Sequence, residues 1–261
     1  MPTASEVIRL EGVSKEFRRQ KGRTLRELVA CLMAGQPFWE PFYALHDVTI
    51  SVAKGETLGI IGRNGSGKST ILKIIAGVTA PTGGRVYVRG RVSPLIELGA
   101  GFHPDLTGRE NVFMNASILG MSNAQIRERF QDIVSFAELW DFIDMPVKRY
   151  SSGMYVRLGF AVAVHCEPDI LLVDEVLAVG DLAFQEKCLQ KMREFQERGV
   201  TIVLVSHSLD MVQEFCHRVI WLDEGRVRAE GPPEAVIPLY REAVLGHQMA
   251  QEAHLQPPFG P

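Results

Sequence analysis

The order of apolar and polar residues along the chain predicts strands and helices in alternation. Three short runs, at 57–61, 170–173 and 201–205, are almost entirely apolar. Such runs are typical of strands that are buried on both faces of a parallel sheet. Helical spacing of apolar residues fills much of the remaining chain, over residues 69–76, 108–140, 155–165 and 184–198. The alternation of the two kinds of element predicts an α/β fold.

Other segments alternate apolar and polar residues, as half-buried strands do. The longest are 7–13 and 44–52, and shorter candidates are 85–88, 218–222 and 226–228. An insert over about 18–43 separates the first two. It is rich in basic residues and contains a capping box at 24–27 that predicts a short amphipathic helix packed on its own domain. We interpret the basic side chains as a solvated face, with a surface for acidic headgroups as the alternative.

Composition narrows the class of protein. The chain has 261 residues, of which 46% are hydrophobic, and its net charge is −3. We therefore expect either one domain or one large domain with a subdomain, and no nucleic-acid partner. The four cysteines lie far apart, which predicts free thiols in a reducing cytosol. No apolar run is long enough to span a bilayer, so we expect membrane association through a partner. Residues 246–261 end in several prolines and are expected to be poorly ordered.

Residues 62–70 read GRNGSGKST and fit the phosphate-binding pattern G-x-x-x-x-G-K-[ST]. The glycines of this loop let successive backbone N–H groups turn toward phosphate oxygens, Lys68 reaches the β- and γ-phosphates, and the Ser69 hydroxyl is a ligand for Mg²⁺. A predicted strand before the loop and a predicted helix after it supply the context that the motif needs. The loop therefore predicts binding of a nucleoside triphosphate by Gly62, Asn64, Gly65, Ser66, Gly67, Lys68, Ser69 and Thr70.

Two carboxylates and an imidazole follow two further predicted strands. Asp174 and Glu175 come directly after the run 170–173, and His207 comes shortly after the run 201–205. Because the carboxyl ends of parallel strands meet at one edge of a sheet, we expect all three beside the phosphate loop. Hydrolysis of the nucleotide needs a metal, a base for water and contact with the transferred phosphate. We predict that Asp174 shares Mg²⁺ with Ser69, that Glu175 polarises the attacking water, and that His207 contacts the γ-phosphate.

A second anion-binding arrangement lies at residues 151–153, where Ser-Ser-Gly precedes a predicted helix. The first loop already supplies a phosphate cradle for this chain. A second cradle has a use if it faces the nucleotide of another copy. The alternative is an ordinary helix N-cap, which is the more frequent explanation for such a segment taken alone.

Together these motifs resemble the nucleotide-binding subunit of ATP-binding cassette (ABC) transporters, over roughly residues 7–240. Residues 62–69 match its Walker A motif, 170–175 its Walker B motif, 150–154 its signature motif, 180–181 its D-loop, and His207 its switch histidine. The resemblance implies a P-loop NTPase (RecA-like) core with a helical subdomain, about 98–166, and a small antiparallel β subdomain, all within residues 1–245. It also implies ATP and Mg²⁺ as cofactors, and a homodimer in which ATP is contacted in trans by Ser151, Ser152, Gly153 and Asp181.

The closer resemblance is to the branch of that family that exports bacterial O-antigen, capsule or teichoic acid. The chain carries YSSGM followed by Arg157-Leu158, the insert after the first strand, and the run ELGAGFHPDLTGREN over 97–111. This implies polysaccharide export with a polytopic permease, at the cytoplasmic face of the bacterial cytoplasmic membrane. The alternatives are a teichoic acid exporter and a soluble ABC-type ATPase that acts on nucleic acid. Neither the net charge nor the absence of a long heptad run favours the latter.

Two positions depart from the pattern of the family. The glutamine of its Q-loop is absent, and Glu97 and Leu98 occupy that neighbourhood. The aromatic residue that stacks on adenine is Phe17 by its place after the first strand, or Trp39 by its distance to the second strand. We predict Phe17.

The segment 98–106 contains glycines on either side of a single phenylalanine, just before the helical part of the chain. We predict that it couples the chain to the permease, with Phe102 as an exposed apolar anchor. The alternative is a surface loop in which Phe102 folds inward.

Overall fold

A computed structural model describes residues 5–20, 39–96, 99, 101–174 and 181–255. The larger of its two sheets has six strands, of which five run parallel and the last is antiparallel. The two innermost predicted strands have the predicted bounds, because a run of apolar residues buried on both faces ends where polar residues begin. In spatial order the strands are β5 (Val92–Leu95), β6 (Ile170–Asp174), β7 (Thr201–Val205), β3 (Thr57–Ile61), β8 (Arg218–Asp223) and β9 (Arg226–Gly231).

A second, antiparallel sheet has three strands in the order β2, β1 and β4. These are β1 (Glu6–Gln20), β2 (Trp39–Ala53) and β4 (Gly83–Val88). β1 and β2 are longer than predicted and pair as far as Gln20 and Trp39. The described ends of the predicted insert are therefore strand, and the helix predicted around 24–32 lies outside the described residues.

Three helices that follow β5 and precede β6 in the chain pack around a core of their own. They are α2 (Gly108–Ile118), α3 (Asn123–Ala137) and α4 (Ser152–Val164). Reciprocal capping boxes begin α2, with Thr107 and Glu110, and α3, with Ser122 and Gln125. Their shared core is apolar and almost inaccessible, and it includes Val112, Ala116, Ile126, Ile133, Val134 and Leu158.

In the described part of the chain, four helices flank the large sheet: α1 (Lys68–Ile75), α5 (Leu182–Glu197), α6 (Leu209–Phe215) and α7 (Pro233–Leu255). Neither α6 nor α7 was predicted from the sequence. The backbone continues α7 as far as Leu255, and the poor order expected from residue 246 onward stays a prediction. The prolines beyond residue 256 suggested the boundary, yet the residues before them are mostly good helix formers.

No helix among the described residues is both long and apolar enough to cross a membrane. The described cysteines, Cys166, Cys188 and Cys216, are free and buried.

The prediction that Phe102 is an exposed anchor is wrong. Only 8% of its surface is accessible, and it belongs to the core of α2, α3 and α4. Its ring lies edge-on to the ring of Tyr155, with 5.1 Å between the centroids. The glycines at 99 and 101 both have positive φ, and the chain bends there so that Phe102 points inward.

We therefore expect Phe102→Ala to destabilise the protein by about 3–5 kcal/mol, because the change leaves a cavity in a packed core. Chemical denaturation of the purified chain measures this free energy of unfolding. Phe142→Ala is the matched control, since Phe142 is 44% exposed and lies in the short segment between α3 and α4. Equal stability of the two variants would contradict the buried position of Phe102.

Candidate functional site

The carboxyl ends of three neighbouring strands bring the predicted site residues to one edge of the large sheet. Val205 of β7 lies opposite Ile60 of β3 on one side and opposite Asp174 of β6 on the other. The phosphate loop leaves β3 just beyond Ile60, and the exposed His207 follows β7. The predicted grouping of loop, aspartate and histidine therefore agrees with the register of the sheet. Glu175 is next to Asp174 in sequence but lies outside the described residues.

The path of the phosphate loop depends on its glycines. A Cβ atom on Gly62 would lie 2.1 Å from the carbonyl oxygen of Leu222, and one on Gly67 would lie 2.5 Å from that of Ala44. Gly67 also has a φ of 106° and is the residue from which α1 begins. Any other residue would clash or be strained at these two positions. Around Gly65, by contrast, a Cβ would meet no atom within 4 Å, so this side of the loop is open to a ligand.

Lys68 lies within the loop and is 5% exposed. Its Nζ donates hydrogen bonds to the carbonyl oxygens of Gly62, at 2.9 Å, and of Arg63, at 3.1 Å. These contacts hold the ammonium group on the inner side of the loop, at the positive N-terminal end of α1. Ser66 Oγ is buried there without a hydrogen-bond partner among the described residues, while Ser69 is exposed. Backbone N–H groups, a fixed cation and free hydroxyls form a cradle for a polyanion.

A pocket of about 250 Å³ opens beside this cradle. It is lined by loop residues together with Phe17, Phe42 and Ala44. Phe17 and Phe42 lie opposite each other on β1 and β2, whereas Trp39 pairs with Gln20 further along the ribbon. The Lys15 ammonium lies 5.0 Å from the centroid of the Phe17 ring. The pocket thus places Phe17, and not Trp39, beside the loop. Phe42 was not among the predicted site residues, although its place in an aromatic cluster before a predicted strand was a signal.

Ser69 and Asp174 supply hard oxygen ligands of the kind that Mg²⁺ prefers. Ser69 lies in the first turn of α1, and Asp174 ends β6 at the same edge of the sheet. No cluster of three or more His, Cys, Asp or Glu side chains occurs in the part of the chain that the structure describes. Two protein ligands are nevertheless sufficient, because Mg²⁺ usually completes its coordination with phosphate oxygens of the substrate and with waters. The residues present fit this metal.

The predicted second cradle stands apart from the pocket beside the loop. Ser151 is the N-cap of α4, and its Oγ accepts a hydrogen bond from the backbone N–H of Met154. Ser151 and Ser152 are exposed, while Gly153 is half-buried. None of the three lines the pocket. The geometry is that of an ordinary N-cap whose outer side is open to a ligand.

Tyr150, the residue before the second cradle, is held in place by a hydrogen bond of its side chain. Tyr150 donates a hydrogen bond of 2.8 Å to the carbonyl oxygen of Phe142. Burial raises the pKa of Tyr150 to about 12, so its hydroxyl stays protonated and keeps this bond at neutral pH. The start of α4 is thereby tied to the short segment between α3 and α4.

Both carboxylate oxygens of Asp181 make contacts within the same chain. Its Oδ1 accepts a hydrogen bond from the backbone N–H of Phe184 at the start of α5, and its Oδ2 lies 2.6 Å from the guanidinium of Arg157 on α4. Asp181 was predicted to act on a second copy, and its pairing with Arg157 was not anticipated.

The place of the missing Q-loop glutamine, Glu97 and Leu98, lies outside the described residues. Next to it, Gly99 accepts a hydrogen bond of 2.9 Å from the Tyr155 hydroxyl. A Cβ at position 99 would lie 2.2 Å from the Tyr155 ring. The close contact of loop and α4 therefore needs glycine.

A parallel sheet with a phosphate loop after β3 and an acidic residue at the end of β6 defines a P-loop nucleoside triphosphatase. Comparison with protein families assigns residues 45–178 to the family described as ABC transporter. The chain belongs to the ABC transporter family and carries its ATPase cassette.

Relatives and solved structures agree with this assignment. The chain is 48% identical to the O-antigen export system ATP-binding protein RfbB of Myxococcus xanthus, over 99% of this chain and 60% of that protein. It is 50% identical to the protein of the same name from Klebsiella pneumoniae, over 91% of this chain and 98% of that one. The teichoic acids export ATP-binding protein TagH of Lactococcus lactis is 43% identical, over 94% of this chain and 52% of its own length.

Among solved structures, a dimeric ATP-binding cassette bound to ADP and Pi superposes with a TM-score of 0.69. It is 27% identical to this chain, and the match covers 87% of this chain and 98% of that one. The fold is therefore that of an ABC nucleotide-binding domain.

Proposed function

We propose that this chain hydrolyses ATP to drive the export of a bacterial polysaccharide through a separate permease. One observation carries the hydrolytic part: β3, β6 and β7 bring the phosphate loop, Asp174 and His207 to one edge of the sheet. The names of the relatives described above supply the transport part, since they state export of O-antigen or of teichoic acids. O-antigen is the substrate class that we favour, because those relatives are the more similar ones.

Each residue of the site has a role in this proposal. Phe17 stacks on the adenine, with Phe42 beside it, while the loop N–H groups and Lys68 bind the phosphates. When bound by Ser69 and Asp174, Mg²⁺ supplies charge stabilisation for the phosphate oxygens. Glu175 orients and polarises the attacking water, and His207 contacts the γ-phosphate.

A second copy of the chain completes the site. In our proposal Ser151, Ser152 and Gly153 bind the γ-phosphate of the ATP held by the other copy, with Asp181 nearby. This use of a second cradle is supported by the exposed N-terminus of α4, which lies outside the chain's own pocket. A similar cassette has also been solved as a dimer.

An apolar cleft beside the helical part of the chain is our candidate for the permease contact. Its volume is about 230 Å³, and it is lined by residues of α1, β5, α2 and α4 together with Gly99. At its edge Val78 and Ile118 are 69% and 68% exposed. We propose that a short amphipathic helix of the permease occupies it, because such a helix buries apolar side chains in a groove of this kind. Ile118 then takes the anchoring role that Phe102 cannot have.

We expect Ile118→Asp to weaken assembly with the permease while the isolated chain keeps its ATPase activity. The substitution puts a charge into the proposed apolar contact but changes nothing in the pocket beside the loop. Co-purification from detergent-solubilised membranes and ATP hydrolysis by the isolated chain are measured in parallel. Leu239→Asp is the control, since Leu239 is 51% exposed on α7 and does not line the cleft. Equal loss of assembly in both variants would contradict the proposed site.

The whole proposal is tested in cells that lack this chain and its permease. Returning both genes should restore the surface polysaccharide, and the chain should then sediment with the cytoplasmic membrane only when the permease is present. The rival function, an ATPase that acts on nucleic acid, predicts retention on heparin and stimulation of ATP hydrolysis by DNA or RNA. Stimulation by nucleic acid with no return of polysaccharide would favour the rival.

A further inference from the structure

Arg157 on α4 makes charged contacts with the ends of two other helices, α3 and α5. The guanidinium of Arg157 lies 2.6 Å from Asp181 Oδ2, at the start of α5, and 3.0 Å from Glu138 Oε2, at the end of α3. Its side chain is 19% exposed, whereas both carboxylates are more than half exposed. An arginine can donate to two carboxylates at once because its five N–H groups form a planar fork.

The surroundings of Arg157 hold the guanidinium in this position. Its Cζ lies 4.9 Å from the centroid of the Phe184 ring, which packs with Phe136 and Phe160 in the core. Glu138 is also bound by Lys187 Nζ, at 3.0 Å. The hydrogen bond from Lys187, with the charge of Arg157, lowers the pKa of Glu138 and keeps it ionised at neutral pH. Charges therefore alternate from Asp181 through Arg157 and Glu138 to Lys187.

The backbone at Glu138 supports a specific use of this side chain. It closes α3 with a φ of 59°, in the left-handed region where glycine is the usual residue. Glycine would be the better choice for the turn alone. A glutamate there instead directs a carboxylate toward Arg157 and Lys187.

The position of Arg157 relative to the second cradle gives the cluster a function. Arg157 comes four residues after Gly153, so it lies one turn further along the same face of α4. The residues that we propose to meet the other copy's ATP are thus at the start of α4 and the start of α5. Arg157, one turn into α4, makes a direct charged contact with Asp181 at the start of α5.

We infer that Arg157 is a positioning residue that holds Ser151, Ser152, Gly153 and Asp181 as one unit for the ATP of a second copy. This inference rests on the proposed function, because it concerns the half of the site that acts in trans. It does not involve the chain's own phosphate loop. Loss of Arg157 should therefore impair closure of the dimer and turnover, but leave the first binding of ATP intact.

The experiment uses the full chain with Glu175→Gln, which is expected to hold ATP without hydrolysing it. Adding Arg157→Gln should leave the Kd of ATP for the monomer within about twofold, since the altered residue is remote from the loop. Dimerisation with ATP and Mg²⁺, followed by light scattering, should weaken about tenfold or more, as expected for a broken, partly buried charge cluster. With Glu175 intact, kcat should fall while the KM for ATP changes little.

Two further variants separate positioning from folding. Arg157→Lys keeps the charge but loses the fork, so it should restore part of the dimerisation. Glu138→Gly suits the backbone and should leave the Tm unchanged or higher, yet it removes one anchor of Arg157 and should weaken dimerisation. Arg193→Gln is the matched control, because Arg193 pairs with Glu214 and stacks on Phe215 elsewhere on α5.

Each outcome decides the question. If the Glu175→Gln chain dimerises and its Arg157→Gln and Glu138→Gly derivatives dimerise equally well, the inference is wrong and the proposed function stands. If the Glu175→Gln chain does not dimerise with ATP, even with its permease present, the sandwich fails and the inference falls with it. If dimerisation weakens only in proportion to a fall in Tm in every variant, the loss is one of folding, and the positioning role is also wrong.

Discussion

Lys68→Ala is expected to abolish ATP binding and turnover while the protein still folds. Lys68 Nζ is the charge fixed inside the phosphate loop, where it meets the carbonyl oxygens of Gly62 and Arg63. Without it, the N–H groups of the loop face a triphosphate with no cation among them. Losing one charged contact to a phosphate within such a cradle is expected to reduce affinity by about 100-fold or more. Titration of the purified chain with ATP and Mg²⁺ measures the effect.

The structure adds a cost in stability to this prediction. Because Lys68 is 5% exposed and makes two hydrogen bonds within the loop, its truncation should also lower the free energy of unfolding, by about 1–3 kcal/mol. Lys68→Met keeps most of the stem and removes the charge, so it separates loss of binding from loosening of the loop. Lys54→Ala, at an exposed position, is the control. Binding near the wild-type level in Lys68→Met would refute the role of the lysine.

The central strands could be predicted from the sequence because their signal is local. Both Thr57–Ile61 and Thr201–Val205 are apolar runs whose ends coincide with the ends of the buried strands. The phosphate loop is local in the same sense, since its glycines, lysine and serine are contiguous and the helix begins within the motif. The neighbourhood of Asp174 and His207 followed from one general rule, that parallel strands end together.

The direction of a side chain in a glycine-rich loop could not be predicted in this way. The glycines around Phe102 indicated that the backbone is free to bend, but not toward which side. Packing against Tyr155 and the core of the helical part decides that the ring is buried. An apolar residue in a loop is thus poor support for a docking site until its exposure is known.

Pairings between distant segments were also beyond the sequence. The choice between Phe17 and Trp39 depends on the register of β1 and β2, whose strands are separated by residues 21–38. The register places Phe42, and not Trp39, opposite Phe17. The contact of Arg157 with Asp181 and Glu138 likewise joins three helices. In the sequence, Arg157 was only a part of a family pattern.

Glu175→Gln should keep the affinity for ATP and nearly stop hydrolysis. Residue 175 directly follows Asp174, which ends β6 at the edge where the phosphate loop lies. The amide has the size of the carboxylate but lacks the basicity that polarises water, an effect worth about 10²–10⁴-fold in rate. Steady-state release of phosphate measures kcat, and titration with ATP measures the affinity. Glu186→Gln, at an exposed position on α5, controls for the loss of a negative charge.

The same variant should convert the chain into an ATP-dependent dimer. If hydrolysis stops, ATP remains between the loop of one copy and the start of α4 of the other, and its binding energy favours the closed pair. Size-exclusion chromatography with light scattering should show the dimer with ATP and Mg²⁺, and the monomer with ADP or with EDTA. Turnover close to that of the unmodified chain would mean that the base lies elsewhere. A chain that stays monomeric under saturating ATP would argue against the trans sandwich, or would show that the permease is needed to hold the two copies together; adding the permease in detergent distinguishes these two results.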